Sequence, residues 1–229
     1  MTRGIFVTGT DTAVGKTLAC CALIRALGAR GLRVMPMKPV AAGTVERFGR
    51  EVNEDSLALI EAAGQEAALL ADVTPVLLKE PMAPHIAAAR EGRRIALAPI
   101  LSAFERLSAA ADFVVVEGVG GFFVPLGDEI DSIDLARALD LPVVLVVGLR
   151  LGCLNHALLS AQAIEATGLP FAGWIANAID PTMAVAEENV AALVARLRAP
   201  LLGRLPFQAP PDARHLAPLL DTNALLHRA

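Results

Sequence analysis

The sequence predicts an α/β fold, a doubly wound, mostly parallel sheet with helices on both faces. Short apolar runs recur along the chain: "GIFVTG", "RVMPMKPV", "FVVVEG", "LPVVLVVG", "FAGWIANAI" and "APLLGRLP". Longer stretches rich in alanine and leucine, with helical character, separate them. The runs are apolar throughout, so each strand needs cover on both faces, and the intervening helices supply it.

Taken in order, "GIFVTG" reads as a strand, and "GKTLACCALIRALGARG" as a helix ending on a glycine stop. "AGTVERFGREVNEDS" is polar and interrupted by glycine, which predicts a loop over the carboxyl edge of the sheet. "DSIDLARALDLP" begins a second helix on a capping aspartate. Ligands of open α/β sheets bind at the carboxyl edge, so the residues just after each strand matter most.

The chain has 229 residues, 55% of them hydrophobic, enough for one large α/β domain over residues 1–229. A formal charge of −4 and a pI near 5.6 leave nothing to attract a nucleic-acid backbone. The N-terminal "MTRGIFVTG" meets a glycine turn after three apolar residues, and "LPVVLVVGL" is too short to span a bilayer. The three cysteines include the adjacent pair Cys20 and Cys21 and form no CxxC, so neither a disulfide framework nor a zinc site is expected. These features predict a cytoplasmic protein without nucleic-acid or membrane partners.

"VTGTDTAVGKT" places five residues between Gly9 and Gly15, one more than the usual phosphate-binding loop allows. It nonetheless follows a strand and opens a helix, the context such a loop requires, and the fold expected is of the P-loop NTPase type. Backbone N–H groups and the helix dipole would surround phosphates, Lys16 would neutralise them and the Thr17 hydroxyl would ligate magnesium. The structural alternative is a capped turn with Lys16 solvated. GxGxxG is absent, which argues against a dinucleotide.

Two further strand ends carry charge. Glu117 follows the apolar run of "FVVVEGVGG", where an unpaired carboxylate is costly and a magnesium ion would stabilise it. The glycines at 118, 120 and 121 let backbone approach a ligand. Lys38 ends the run of "RVMPMKPV" before Pro39; read alone, its long stem could simply carry it to solvent.

"GTDTAVGKT", "KPVAAG", "NEDSLAL", "PMAPHIAAAREGRRI", "VEGVGGFFVPL", "LGCLNHALLSAQAI", "GWIANAIDP" and "PLLGRLP" occur in an order and spacing that resembles the ATP-dependent dethiobiotin synthetases of biotin biosynthesis. The likeness runs over nearly the whole chain, and in that family the five-residue loop spacing is usual. It implies a ligase (cyclo-ligase) that joins 7,8-diaminononanoate and CO2 at the expense of ATP, through a carbamate and a phospho-carbamate mixed anhydride. It also implies catalytic roles for Lys38, Lys16 and Thr12, and nucleotide contacts from Ala13, Val14, Gly15, Lys16, Thr17 and Leu18. Further nucleotide contacts would come from Asp55, Glu117, Gly118, Val119 and Gly120.

By the same likeness magnesium would be held by Thr17, Asp55 and Glu117. Asp55 alone would read as a helix N-terminal acid. Asn177 would hydrogen-bond adenine, although an asparagine capping the strand end is the local alternative. Pro206, Phe207 and Gln208 would flank the base. Substrate would meet Thr12, Lys38 and Ala42, with Gly152, Cys153, Leu154 and Asn155 offering a helix N-terminus to its carboxylate from the second subunit of a homodimer.

The chain departs from the family at Ala13, often glutamate there, and at Ala42, often a hydroxyl residue; Thr44 is a candidate to replace that hydroxyl. His85, His156, His215 and His227 have no sequence partner and read as structural. Two rival readings compete with this one. A corrinoid amidoligase would need a further glutamine-hydrolysing domain, for which the chain has no room. A ParA- or MinD-like switch would carry a second lysine early in the loop, and residues 9–14 contain none.

Overall fold

The computed structural model describes residues 3–47 and 49–226. In chain order the strands and helices are β1 (Arg3–Gly9), α1 (Lys16–Gly28), β2 (Val34–Met37), β3 (Val40–Ala42), β4 (Val45–Arg47), β5 (Arg50–Val52), α2 (Glu54–Ala62), α3 (Leu70–Val73), β6 (Val76–Leu78), α4 (Pro84–Arg90) and α5 (Leu97–Ala109). There follow β7 (Phe113–Glu117), α6 (Ser132–Leu139), β8 (Val143–Leu149), α7 (Cys153–Ala166), β9 (Phe171–Ala178), α8 (Ala186–Val194), β10 (Leu201–Leu205), α9 (Ala213–Leu216) and α10 (Asn223–Leu226).

All six expected strand segments enter one sheet, ordered β10-β9-β8-β1-β7-β2, and every neighbouring pair in it is parallel. Successive residues feed opposite faces. Phe6, Val114, Val116, Leu145 and Val147 pack into a core with Ile100 of α5, Leu135 of α6 and Ala157 of α7. Ile5, Val7, Val115, Val144 and Val146 pack into a second core with the buried face of α1, Leu59 of α2 and Leu216 of α9. A fully buried valine or leucine side chain contributes about 1.5–3 kcal/mol, which is why strands buried on both faces carry no polar alternation.

The capping aspartate of α6 acts as read. Asp131 caps α6 in a reciprocal capping box with Asp134. Asn53 caps α2 by accepting from Ser56 N.

Two local expectations are corrected. "RVMPMKPV" is not one strand: β2 stops at Met37, Lys38 N turns to Val73 O at 2.8 Å, and β3 leaves to pair with β6 in a separate two-stranded parallel sheet. Pro39 has no N–H to continue the ladder, so the chain changes sheets there. The segment expected as a plain loop contains the antiparallel pair β4–β5, anchored by the buried Val52.

Candidate active site at the carboxyl edge

Strand register brings the charged residues together. Val7 of β1 lies opposite Glu117, and Met37 of β2 lies opposite Val116, so Lys38 emerges beside Glu117. The Lys38 ammonium donates to Glu117 Oε1 at 2.8 Å and to Asp55 Oδ2 at 2.5 Å, Asp55 sitting in the first turn of α2. The Thr17 hydroxyl, in the first turn of α1, also donates to Glu117 Oε1, at 2.9 Å.

The phosphate-type loop spans the gap between β1 and α1. Ala13 has φ 58° and Gly15 φ 84°, both left-handed. For an alanine that conformation costs roughly 1–2 kcal/mol, the kind of strain that collects at functional sites. A β-carbon on Gly15 would lie 2.1 Å from Asn177 Nδ2, so any larger residue here would have to displace that amide. Asn177, buried at the end of β9, uses that same nitrogen to donate to Val14 O at 2.9 Å. The longer first half of the loop is held by Asp11, whose Oδ1 accepts from Thr12 N at 2.7 Å and whose carbonyl accepts from the Lys16 ammonium at 2.9 Å.

Lys16, Thr17, Lys38, Asp55 and Glu117 line one cavity of about 820 Å³, together with Thr12, Ala13, Ala42, Val119 and Gly120. A second cavity of about 760 Å³, between α1, α2 and the C-terminal segment, shares none of these residues and has Glu61 as its only carboxylate among the lining residues.

Burial pushes the Lys16 ammonium below its usual range; Glu117 opposes this and Lys38 adds to it. Burial acts on Lys38 in the same direction, but the two carboxylates at Glu117 and Asp55 outweigh it and hold Lys38 above the lysine range. Asp11 is held below the carboxylate range, chiefly by the Thr12 N–H, against its own partial burial, with Arg150 adding to the effect.

Glu117 Oε2 is buried and has no hydrogen-bond partner. A buried acceptor left unsatisfied costs about 1–3 kcal/mol, more when charged, so this atom favours a cation that is not part of the chain. The nearby donors are hydroxyl and carboxylate oxygens from Thr17, Asp55 and Glu117, the set a small hard dication prefers. Among the described residues no cluster of three or more His, Cys, Asp or Glu forms a closed metal cage. The remaining ligands of a dication there would be water and phosphate oxygens, as is usual for magnesium.

The other sequence-predicted residues fall in three places. Val14 and Leu18 pack into the core under the loop, and Gly118 follows Glu117 with its N–H on Val7 O at 2.9 Å. Pro206, Phe207 and Gln208 follow β10 and do not line the cavity; Phe207 is 46% exposed, and Gln208 accepts from Asp212 N. Gly152 caps α7 with φ 94°, Cys153 is buried, Asn155 is exposed, and none of residues 152–155 lines this chain's cavity. Thr44 lines a smaller adjoining cavity of about 300 Å³ that shares Ala42, Asp55 and Pro81 with the main one.

The histidines stay outside the cluster: His85 and His215 do not line the cavity, His156 is exposed near Asp11, and His227 lies outside the described residues. Sequence reading missed Asp11 and its partner Arg150, which are 139 residues apart and share no local pattern.

The family model described as an AAA domain matches residues 3–213. An ATP-dependent dethiobiotin synthetase of Aromatoleum aromaticum is 54% identical over 215 residues, 94% of this chain and 95% of that protein. The chain belongs to the ATP-dependent dethiobiotin synthetase family. Synthetases of the same name from Nitrosospira multiformis and Ralstonia nicotianae are 52% and 53% identical, each alignment covering 96–97% of both proteins.

The dethiobiotin synthetase family member also shares its fold with more distant ATPases. A ParA family ATPase of Chlorobium tepidum superposes with TM-score 0.56 at 15% identity, covering 99% of this chain and 100% of that one. The septum site-determining protein MinD of Pyrococcus horikoshii, complexed with Mg-ADP, gives 0.54 at 14% identity, covering 99% and 90%. At such identities the likeness is one of fold: a parallel sheet flanked by helices, of P-loop NTPase type.

Proposed function

We propose that this chain, as one domain over residues 1–229, converts 7,8-diaminononanoate, CO2 and ATP to dethiobiotin, ADP and phosphate in a magnesium-dependent reaction. The reading is supported by family membership and carried by one observation: Lys16 and Lys38 line the same cavity with Thr17, Asp55 and Glu117.

In this mechanism one substrate amine adds to CO2 and loses a proton, giving a carbamate. A carbamate oxygen then takes the γ-phosphoryl group, releasing ADP, and the second amine attacks the carbamoyl carbon as the phosphate C–O bond breaks. Both partners of the phosphoryl transfer are anions, so fixed cations must draw them together and offset the charge of the transition state. Lys16 faces the phosphates. Lys38, charged throughout the neutral range, would contact both carbamate and phosphoryl oxygens.

Thr17, Asp55 and Glu117 would hold magnesium, which when bound offsets charge on the phosphate oxygens. Thr12, which lines the same cavity beside Gly120, would meet the γ-phosphate and carbamate. The backbone of residues 13–18 cradles the phosphates, with Gly118, Val119 and Gly120 on the far side. Asn177, Pro206, Phe207 and Gln208 take the base, Phe207 offering an exposed ring face.

Ala42 would leave the substrate without the hydroxyl contact that the family resemblance implies there. Residues 152–155 lie outside this chain's cavity, in keeping with their serving the active site of a second subunit in a homodimer. The enzyme would work in the cytoplasm, without nucleic-acid or membrane partners; no helix among the described residues is long and apolar enough to cross a membrane.

The test is incubation with diaminononanoate, bicarbonate, magnesium and ATP, with products read by mass. Dethiobiotin, absent when any component is omitted, is the expected result. Phosphate release stimulated instead by DNA or lipid, with no new cyclic urea, would overturn the reading in favour of a nucleotide-driven switch.

A further inference from the structure

Arg150 follows β8 and reaches two functional segments at once. Its guanidinium Nη2 donates to Asp11 Oδ2 at 2.5 Å, a contact spanning 139 residues of chain. Its carbonyl accepts from Cys153 N at 3.0 Å and so closes the turn on which α7 begins. Asp11, in turn, orders the first half of the phosphate loop: its carboxylate holds Thr12 N and its carbonyl holds the Lys16 ammonium. The Arg150 and Asp11 side chains are 43% and 45% exposed, so the pair contributes little to stability by itself. What matters is which segments it joins.

We propose that Arg150 is a positioning residue that ties the phosphate loop to the turn opening α7, so that filling either one changes the affinity of the other. The inference rests on the functional reading above, in which residues 152–155 receive the substrate carboxylate. Phosphate oxygens arriving in the loop compete with the Asp11 carbonyl for Lys16. Asp11 is thereby released from one of its restraints while Arg150 still grips its carboxylate.

The turn beyond Arg150 is open to solvent. Gly152 sits at φ 94° with open space around a would-be β-carbon, and Leu151 is 97% exposed. If α7 serves a neighbouring subunit's cavity, the link runs from the nucleotide of one protomer to the substrate of its partner. Such coupling is reciprocal, each ligand changing the other's affinity by the same factor.

The test uses the full-length protein and a non-hydrolysable ATP analogue with magnesium, titrated calorimetrically with and without saturating diaminononanoate and without bicarbonate. Wild type is expected to show a ratio of analogue affinities of about fivefold or more. In Arg150→Gln the ratio falls to within about twofold of one while both ligands still bind, Asp11→Asn behaves alike, and Arg150→Lys restores part of the ratio. Arg150→Gln should melt within about 2–4 °C of wild type, as loss of an exposed pair allows.

A wild-type ratio of one, or an unchanged ratio in Arg150→Gln, overturns the proposal. The two readings separate cleanly. A wild type that makes dethiobiotin yet shows no coupling sinks only this inference, whereas one that makes no dethiobiotin sinks the functional reading beneath it.

Discussion

Lys38 and Glu117 form an ion pair 2.8 Å long whose side chains are 7% and 1% exposed, so neither partner can turn to water if the other is lost. Asp55 shares the same ammonium at 2.5 Å but is 46% exposed and has that alternative. Removing one member of a buried pair typically costs about 3–5 kcal/mol. Lys38→Ala is therefore expected to lower thermal stability markedly, to bind ATP still, and to make no dethiobiotin. Calorimetric nucleotide binding beside a mass assay checks this; product at even a tenth of the wild-type rate would remove Lys38 from the chemistry.

The two lysines should separate on the alkaline side. Lys16 starts below the ordinary lysine value of 10.5 because burial disfavours its charge. Its charged form carries a folding cost that disappears as pH rises through the lowered value, but the ammonium needed for phosphate disappears with it. Nucleotide affinity should thus fall at a pH below 10.5. Lys38, raised by its carboxylates, contributes stability that is complete below the unfolded lysine value and is lost only as pH rises through the higher folded one. Titrating a nucleotide analogue from neutral to pH 10 tests the Lys16 limb, and Lys16→Met should bind weakly with no such alkaline fall.

Gly15→Ala meets two obstacles, a left-handed backbone and the Asn177 amide 2.1 Å from its new methyl group. Stability should fall by about 1–3 kcal/mol and nucleotide binding should be lost. Asn177→Ala removes the clash and not the backbone strain. The double variant should accordingly lose less stability than the two single losses added together. Strict additivity in denaturant unfolding would show that the amide and the loop do not touch.

All three cysteines are buried and free. Burial, with Glu117 adding to it, pushes the Cys21 thiol up to about 12, and Cys20 is also raised well above the usual thiol range. Because the thiolate is the reactive form, native protein at pH 9 should resist iodoacetamide at these positions. Mass spectrometry should find no rapid labelling of Cys20 or Cys21 before denaturation and three labels on the chain after it. Fast labelling of native Cys20 or Cys21 would mean that α1 opens readily.

Much of the candidate site was legible before the fold, for local reasons. A phosphate loop is a strand, a turn and a helix consecutive in sequence, so Gly15, Lys16 and Thr17 could be read from one stretch. Glu117 was visible as an acid ending an apolar strand. Less legible were the left-handed Ala13, the brace from Asn177 to Val14 and the Arg150–Asp11 contact, because each depends on chain segments that meet only after folding. Residues 206–208 and 152–155 were placed by family likeness, and neither segment reaches this chain's cavity.

By itself the amino-acid order determined five of the six sheet strands and the first part of the sixth, the cap of α6 and the glycine-lysine-threonine turn, since each expresses a local rule of periodicity, capping or backbone freedom. Only the tertiary structure decided the strand order β10-β9-β8-β1-β7-β2 and the registers that set Val7 against Glu117 and Met37 against Val116. Those registers follow from how two cores fill on opposite faces of one sheet. That long-range packing condition is what places Lys38, Asp55, Thr17 and Glu117 within hydrogen-bonding reach.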